Sequence, residues 1–123
     1  MALAKLEHVN LTVTDPERLA GLLTDLCGWH IRWQGPAMNG GRTIHVGSDG
    51  SYLALYTNDQ TAGGYGKGHP LNHVGLLVND LETAERTISA TGLTPFGHDD
   101  YEPGKRFYFF DWDGIEFEVV SYA

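Results

Sequence analysis

The fold is decided by two ten-residue stretches, LEHVNLTVTD at residues 6–15 and LNHVGLLVND at residues 71–80. Leu, His, Val, Leu, Val and Asp occur at the same places in both. Side chains alternate between the two faces of a strand, so Val, Leu and Val share one face and the histidine lies on the other. The repeat therefore predicts a duplicated module whose histidine recurs on the face that the core does not use.

Each stretch is followed by signals for a helix and then for further strands. Asp15 can cap a helix with Pro16 in its first turn, and Asp80 can cap a second one. Gly28 and Gly92 are expected to end these helices. A short strand and a hairpin follow each helix, and both hairpins contain an Asp-Gly turn, Asp49-Gly50 and Asp113-Gly114. Each half is thus predicted to be a β-α-β-β-β module.

The two modules are predicted at about residues 4–58 and 70–123, joined by the glycine-rich loop TNDQTAGGYGKGHP. Neither half has enough chain to bury a sheet face alone with a single helix. We therefore predict one α+β domain over residues 1–123, in which the modules form a curved mixed sheet with the helices on its outer face. Exposed strand edges favour pairing, which predicts a homodimer.

Composition excludes several classes of function. The chain of 123 residues has a formal charge of −8 and no basic run, which argues against nucleic-acid binding. The sequence has no stretch of about 20 apolar residues, so no membrane span is predicted. The one cysteine, Cys27, cannot form an internal disulfide, which favours a cytoplasmic location. A small molecule is the expected partner.

The strand pattern brings metal-ligating side chains to the face opposite the core. His8 and His73 are on this face. In the last strand the core face is the one that carries Ile115, Phe117 and Val119. Glu116 and Glu118 therefore face the same side as the histidines. Two imidazoles and at least one of these carboxylates, projecting from rigid strands, make a good site for a divalent metal.

The paired modules, with the motifs LEHVNL, LNHVGL and FYFFDWDGIEFEVV, resemble the vicinal oxygen chelate superfamily over residues 6–122. That group includes glyoxalase I, bleomycin-resistance proteins, fosfomycin-modifying thiol transferases and extradiol ring-cleaving dioxygenases. The resemblance implies an enzyme that uses one divalent ion (Fe(II), Mn(II), Zn, Ni or Co) to chelate a small substrate through adjacent oxygens. The ion would stabilise an anionic intermediate.

The resemblance also implies roles for single residues. His8 and His73 match the first-strand metal ligands, and Glu118 matches the carboxylate of the family motif D-P-D-G-x-x-x-E, here DWDGIEFE. The family's fourth position falls on Ala54, which can neither bind metal nor move a proton. Glyoxalase I chemistry is therefore disfavoured unless Glu116, Tyr108 or water supplies the base.

The order of His98, Tyr108 and Glu118 resembles the extradiol dioxygenase signature, which gives a slight preference for ring-cleaving chemistry. Tyr108 would hydrogen-bond a substrate oxygen, and His98 would act as an acid or base. Thiol transferases are an alternative, although His98 and Glu102 stand where those enzymes carry phosphonate-binding groups. A glyoxalase-like lyase is a further alternative, as is a non-enzymatic protein that sequesters a drug.

Several other residues have a structural interpretation. Trp29, Trp33 and Tyr56 are candidates for an aromatic pocket, although such residues more often lie in a core or interface. Lys105 and Arg106 are candidates for binding an anion, although they are expected to be solvated. Counting back from the Asp-Gly turns aligns His45 with Phe109, which predicts that His45 is on the core side of its strand.

Overall fold

The computed structural model describes residues 3–38, 40–101 and 104–123, and Glu102 lies outside them. The chain divides into two compact units, Met1–Ala62 and Gly63–Ala123. Each unit contains strand, helix and three further strands in chain order, which confirms the α+β class and the β-α-β-β-β order predicted for both halves. That the two halves form a single domain stays a prediction.

Unit 1 contains β1 (His8–Thr12), α1 (Pro16–Cys27), β2 (His30–Pro36), β3 (Arg42–Gly47) and β4 (Tyr52–Thr57). Its strands form one four-stranded mixed sheet with the spatial order β1-β4-β3-β2. The first strand pairs with β4 in parallel, and the two remaining pairs are antiparallel.

Unit 2 contains β5 (Val74–Leu77), α2 (Leu81–Ala90), β6 (Phe96–Tyr101), β7 (Gly104–Phe110) and β8 (Glu116–Ser121). It repeats the arrangement of unit 1 with the spatial order β5-β8-β7-β6. Here too the first strand pairs in parallel with the last, and the other pairs are antiparallel.

The helix signals in the sequence correspond to real caps. The side chains of Asp15 and Asp80 accept hydrogen bonds from the backbone N–H groups of Arg18 and Thr83. Gly28 ends α1 in the left-handed region, with φ of 67°, where glycine is favoured. Each helix thus begins shortly after its repeated strand. The core face of that strand is the face that lies against the helix.

The core of each unit lies between its helix and the facing side of its sheet. In unit 2, Phe107, Phe109, Phe117 and Val119 are fully buried, and Ile88 of α2 is buried with them. In unit 1, Leu11, Val46, Leu53 and Leu55 are buried together with the apolar residues of α1. The predicted core faces of the first and last strands are therefore confirmed, and the opposite faces are left for other roles.

The two hairpin loops differ in length by one residue. Gly47 pairs with Tyr52 in unit 1, so residues 48–51 form the loop. Phe110 pairs with Glu116 in unit 2, so its loop is residues 111–115. Because side chains alternate along a strand, this one-residue difference reverses the faces of β3 relative to β7 when the two halves are aligned by their turns.

The longer loop contains a buried carboxyl group, Asp111. Its side chain accepts hydrogen bonds from the backbone N–H groups of Asp113 at 2.9 Å and of Ile115 at 2.8 Å. Burial raises the pKa of Asp111 from its ordinary 3.8 to about 6, although these hydrogen bonds favour the ionised form. The charged carboxylate therefore opposes folding at neutral pH.

We expect Asp111→Asn to stabilise the protein by about 1–2 kcal/mol at pH 8 and to have little effect at pH 4. A raised pKa in the folded state gives stability that is fully present below the unfolded pKa and is lost as the pH rises through about 6. The asparagine keeps an acceptor for both N–H groups without the charge. Urea unfolding of both proteins at the two pH values measures the difference, and an equal effect at both would contradict the prediction.

Candidate metal centre

The face of the unit 2 sheet opposite α2 has a cluster of charged and polar side chains. Glu118 of β8 pairs with Tyr108 of β7 and with Gly75 of β5, and it lies beside Arg106. Strand alternation puts these side chains opposite Phe107, Phe117 and Val119, which form the core. Glu118 therefore lies on the face away from the helix, as predicted.

The two oxygens of Glu118 have different surroundings. Oε2 accepts a hydrogen bond from Arg106 Nη1 at 2.7 Å and one from the Tyr108 hydroxyl at 3.3 Å. Oε1 lies 3.3 Å from Nε2 of His73. The carboxylate is thus oriented through one oxygen and presents the other to the imidazole.

The contact between His73 and Glu118 fits two ligands of one metal ion. Two ligand atoms that each lie about 2.1 Å from an ion, at angles between octahedral and tetrahedral, are about 3.0–3.4 Å apart. The 3.3 Å between Nε2 and Oε1 falls in this range. The donor set of one imidazole and one carboxylate suits Mn, Fe, Ni, Co and Zn ions.

Both repeated histidines are held in the same way by the residue before them. Nδ1 of His73 lies 2.7 Å from the amide oxygen of Asn72, and Nδ1 of His8 lies 2.8 Å from a carboxylate oxygen of Glu7. These oxygens can only accept a hydrogen bond, so Nδ1 is the donor in both contacts, and each ring is oriented with Nε2 directed away from the preceding residue. Partners of this kind set the tautomer and orientation of metal-binding histidines.

Glu116 has a different partner. Its side chain is only 4% exposed, and Oε2 accepts a hydrogen bond at 2.9 Å from Nζ of Lys67 in the linker. It lies 4.0 Å from Nδ1 of His73, the nitrogen already directed to Asn72. Lys67 balances the charge of Glu116, and so Glu118 is the carboxylate that faces the available nitrogen of His73.

His98 does not lie with His73, Tyr108 and Glu118. Its Nε2 donates to Glu85 of α2 at 2.5 Å, and its ring stacks on that of Phe107, a core residue. It lines an open cleft of about 470 Å³ beside α2 with residues such as Glu82 and Ser89. This position, on the face opposite Tyr108 and Glu118, does not support the predicted role of His98 as an acid or base beside Tyr108.

A β-bulge explains the position of His98. Phe96 pairs with Tyr108 and Asp99 with Arg106, so Gly97 and His98 together oppose a single residue of β7. Gly97 has a φ of 66°, in the left-handed region that such bulges use. The extra residue turns His98 to the helix side, whereas uninterrupted alternation would place it beside Phe96 and Tyr108.

In unit 1 the position that corresponds to Glu118 is Ala54. It pairs with Asn10 of β1 and His45 of β3 as Glu118 pairs with Gly75 and Tyr108. The prediction that His45 lies on the core side is wrong, because its ring stacks on Tyr52, at 4.6 Å, on the same face as His8. The shorter hairpin loop of unit 1 causes this reversal.

The prediction that Arg106 is solvated is also wrong. Its side chain is 11% exposed and is paired with Glu118. The alternation of Arg106, Tyr108 and Phe110 along β7 was the available signal, because it assigns all three to the face of Glu118.

Within the described part of the chain, no group of three or more His, Cys, Asp or Glu side chains is arranged to hold a metal ion. The contact of His73 with Glu118 therefore stands as a pair within unit 2. No helix among the described residues is long and apolar enough to cross a membrane.

Comparison with known proteins points to one family. The family model described as the Glyoxalase/Bleomycin resistance protein/Dioxygenase superfamily matches residues 5–119. No curated protein matches the chain in sequence.

Solved structures share the fold. A glyoxylase/bleomycin resistance protein/dioxygenase domain from Frankia sp. EAN1pec has a TM-score of 0.82 at 20% identity, covering 98% of both chains. A mutant of the fosfomycin resistance protein FosX from Listeria monocytogenes, complexed with Mn(II) and 1S,2S-dihydroxypropylphosphonic acid, has a TM-score of 0.75 at 16% identity, covering 97% of this chain and 93% of that one. TioX from Micromonospora sp. ML1 has a TM-score of 0.69 at 19% identity, covering 98% and 100%.

Proposed function

The chain belongs to the glyoxalase/bleomycin resistance protein/dioxygenase superfamily, and we propose that it is a divalent-metal-dependent enzyme that chelates a small substrate through adjacent oxygens and stabilises an anionic intermediate. The observation that carries this proposal is the 3.3 Å contact between Nε2 of His73 and Oε1 of Glu118. The remaining polar atoms of both side chains are already engaged by Asn72, Arg106 and Tyr108.

His73 and Glu118 would supply two ligands, and His8 is proposed as the third. The support for His8 comes from the repeat and from its Nδ1, which Glu7 engages as Asn72 engages that of His73. A bound divalent ion would act as a Lewis acid on the substrate oxygens. The FosX relative, whose structure contains Mn(II) and a dihydroxypropylphosphonic acid, supports an ion and an oxygen-rich ligand on this fold.

The chain's own residues would orient and bind the substrate. Arg106 neutralises Glu118, so an ion held by neutral histidines and this carboxylate leaves the site with a positive charge, which favours an anionic substrate. The hydroxyl of Tyr108, now 3.3 Å from Glu118, is proposed to hydrogen-bond a substrate oxygen. Ala54 offers no base, so glyoxalase I chemistry remains disfavoured.

Within this class we retain a slight preference for ring-cleaving, dioxygenase-like chemistry. It now depends on Tyr108 and Glu118 alone, because His98 pairs with Glu85 on the other face of the sheet. A non-enzymatic drug-binding protein is the alternative. The contacts that orient His8 and His73 through Nδ1 argue against it, because a protein that only binds a drug does not need oriented imidazoles. A homodimer is proposed as well, since both sheets are open and Ile31 on the outer strand β2 is exposed.

Metal analysis tests the proposal. Untagged protein stripped with EDTA and dialysed is expected to take up about one equivalent of Mn(II), Fe(II), Ni(II), Co(II) or Zn(II) per chain, measured by elemental analysis after removal of free ion. Mg(II), which prefers oxygen ligands, serves as the control and is expected to bind more weakly. Failure to retain any of the five ions would contradict the enzyme proposal and favour the drug-binding alternative.

A further inference from the structure

Four rings form a continuous row across the sheet of unit 1. His8 stacks on Tyr52 with 4.9 Å between ring centroids, and Tyr52 stacks on His45 at 4.6 Å. His45 in turn contacts Trp33 at 5.3 Å. Each ring comes from a different strand, in the spatial order β1-β4-β3-β2. We call His8, Tyr52, His45 and Trp33 the ring row.

The ring row is not part of the core of unit 1. The core residues Ile44, Val46, Leu53 and Leu55 point to the opposite face of β3 and β4 and are at most 5% exposed. Trp33 is 50% exposed, and the His8 side chain is 41% exposed. Packing against α1 therefore does not explain why four rings share this face.

Small residues and a bulge allow the row to form. Gly47 lies directly across from Tyr52, and a Cβ at Gly47 would come within 2.6 Å of the Tyr52 Cβ. Ala54, across from His45, adds little bulk. The register shift in β2 between Ile31 and Trp33 lets the consecutive residues Arg32 and Trp33 both reach the row.

Arg32 places a permanent cation beside the row, and the carboxylate of Glu7 lies at its His8 end, 2.8 Å from Nδ1. The Arg32 guanidinium lies over the Tyr52 ring, 4.4 Å from its centroid, and donates one hydrogen bond to the Ser48 carbonyl. Burial lowers the pKa of His45, and the neighbouring His8 and Arg32 lower it further. Glu7 has a smaller opposite effect on this pKa, and Arg32 supplies the positive charge for an anionic ligand.

We propose that the ring row, with Arg32, binds the planar aromatic part of an anionic ligand, stacking on Trp33 and pairing its charge with the guanidinium. The proposal rests on the proposed function in that His8 is both the end of the row and a proposed metal ligand, and it names the substrate class as planar aromatic anions. Aromatic faces gain from offset stacking, and a guanidinium suits an oxyanion.

Calorimetric titration of the metal-free protein tests the proposal separately from metal binding. Naphthoate is the probe, cyclohexanecarboxylate keeps the charge without an aromatic ring, and naphthylmethanol keeps the rings without the charge. We expect naphthoate to bind about five- to tenfold more tightly than either control. Equal affinities for naphthoate and cyclohexanecarboxylate would overturn the proposal.

Matched substitutions assign the effect to the row. Trp33→Leu and Tyr52→Leu are each expected to weaken naphthoate binding about fivefold, while Tyr52→Phe, which keeps the ring, changes it less than about twofold. Arg32→Gln is expected to weaken naphthoate but not naphthylmethanol. If the leucine variants keep full affinity for naphthoate, the row does not bind the probe and the proposal is wrong. If they instead only reduce the mass measured by sedimentation, the row is a contact between copies, and the proposal is wrong as well.

The two proposals fail in different ways. Protein that retains Mn(II) but shows no preference for naphthoate would leave the metal site standing and overturn the aromatic subsite. Protein that prefers naphthoate and loses this preference with Trp33→Leu, but retains no metal, would support the aromatic subsite and overturn the proposal of a metal-dependent enzyme.

Discussion

Glu118→Gln is expected to weaken the binding of Mn(II) by about 100-fold or more. The substitution keeps an oxygen that can accept from Arg106 and Tyr108, so the hydrogen bonds at 2.7 and 3.3 Å can persist. It removes the negative charge that a divalent ion needs from this position. Loss of an outer partner alone costs about 10- to 100-fold in metal affinity, so loss of a charged ligand should cost at least as much.

Glu116→Gln is the matched control, on the same face of the same strand. Its carboxylate is paired with Lys67 at 2.9 Å and faces Nδ1 of His73 at 4.0 Å, so we expect less than about a threefold change in metal affinity. Competition with a fluorescent chelator measures both constants, and circular dichroism checks that both variants fold. Equal losses would show that the wrong carboxylate was chosen. No loss with Glu118→Gln would show that the ion is held elsewhere.

The sequence predicted the fold because its signals were local and duplicated. Asp15 and Asp80 cap their helices, and the alternation in β1, β5 and β8 assigns the core face of each strand. The placement of Glu118 on the face away from the helix followed from the same alternation. These features need only nearest neighbours along the chain or across one turn.

The side chains that were misassigned depend on single inserted residues. The extra residue in loop 111–115, compared with loop 48–51, reversed the expected face of His45. The bulge at Gly97 reversed that of His98. A glycine inside a strand is a recognised signal for a bulge, so the position of His98 was open to prediction. Loop length was not, because both turns contain the same Asp-Gly pair.

Arg106 shows a different reason for error. A charged residue near a loop is usually solvated, and only the alternation along β7 indicated that Arg106 shares a face with Glu118. The partner is Glu118, twelve residues further along the chain and adjacent through the pairing of β7 with β8. Once Glu118 is accepted as a ligand, an arginine on the same face becomes the expected means of orienting it.

His73→Ala and His8→Ala are each expected to lower metal affinity by about 100-fold, because each removes an imidazole whose Nδ1 is already engaged and whose Nε2 is available. His98→Ala is the control, since that imidazole is paired with Glu85, and its effect should be less than about twofold. The same chelator competition measures all three variants.

The pattern of results across the three histidines separates the possibilities. Losses with His73→Ala and His8→Ala but not with His98→Ala would support the proposed ligand set. A loss with His73→Ala alone would mean that the pair of His73 and Glu118 binds the ion without His8. A loss with His98→Ala equal to that with His73→Ala would contradict the separation of faces imposed by the Gly97 bulge. Asn72→Ala adds an independent check: if Asn72 sets the tautomer of His73, the metal affinity should fall about tenfold, with both imidazoles still present.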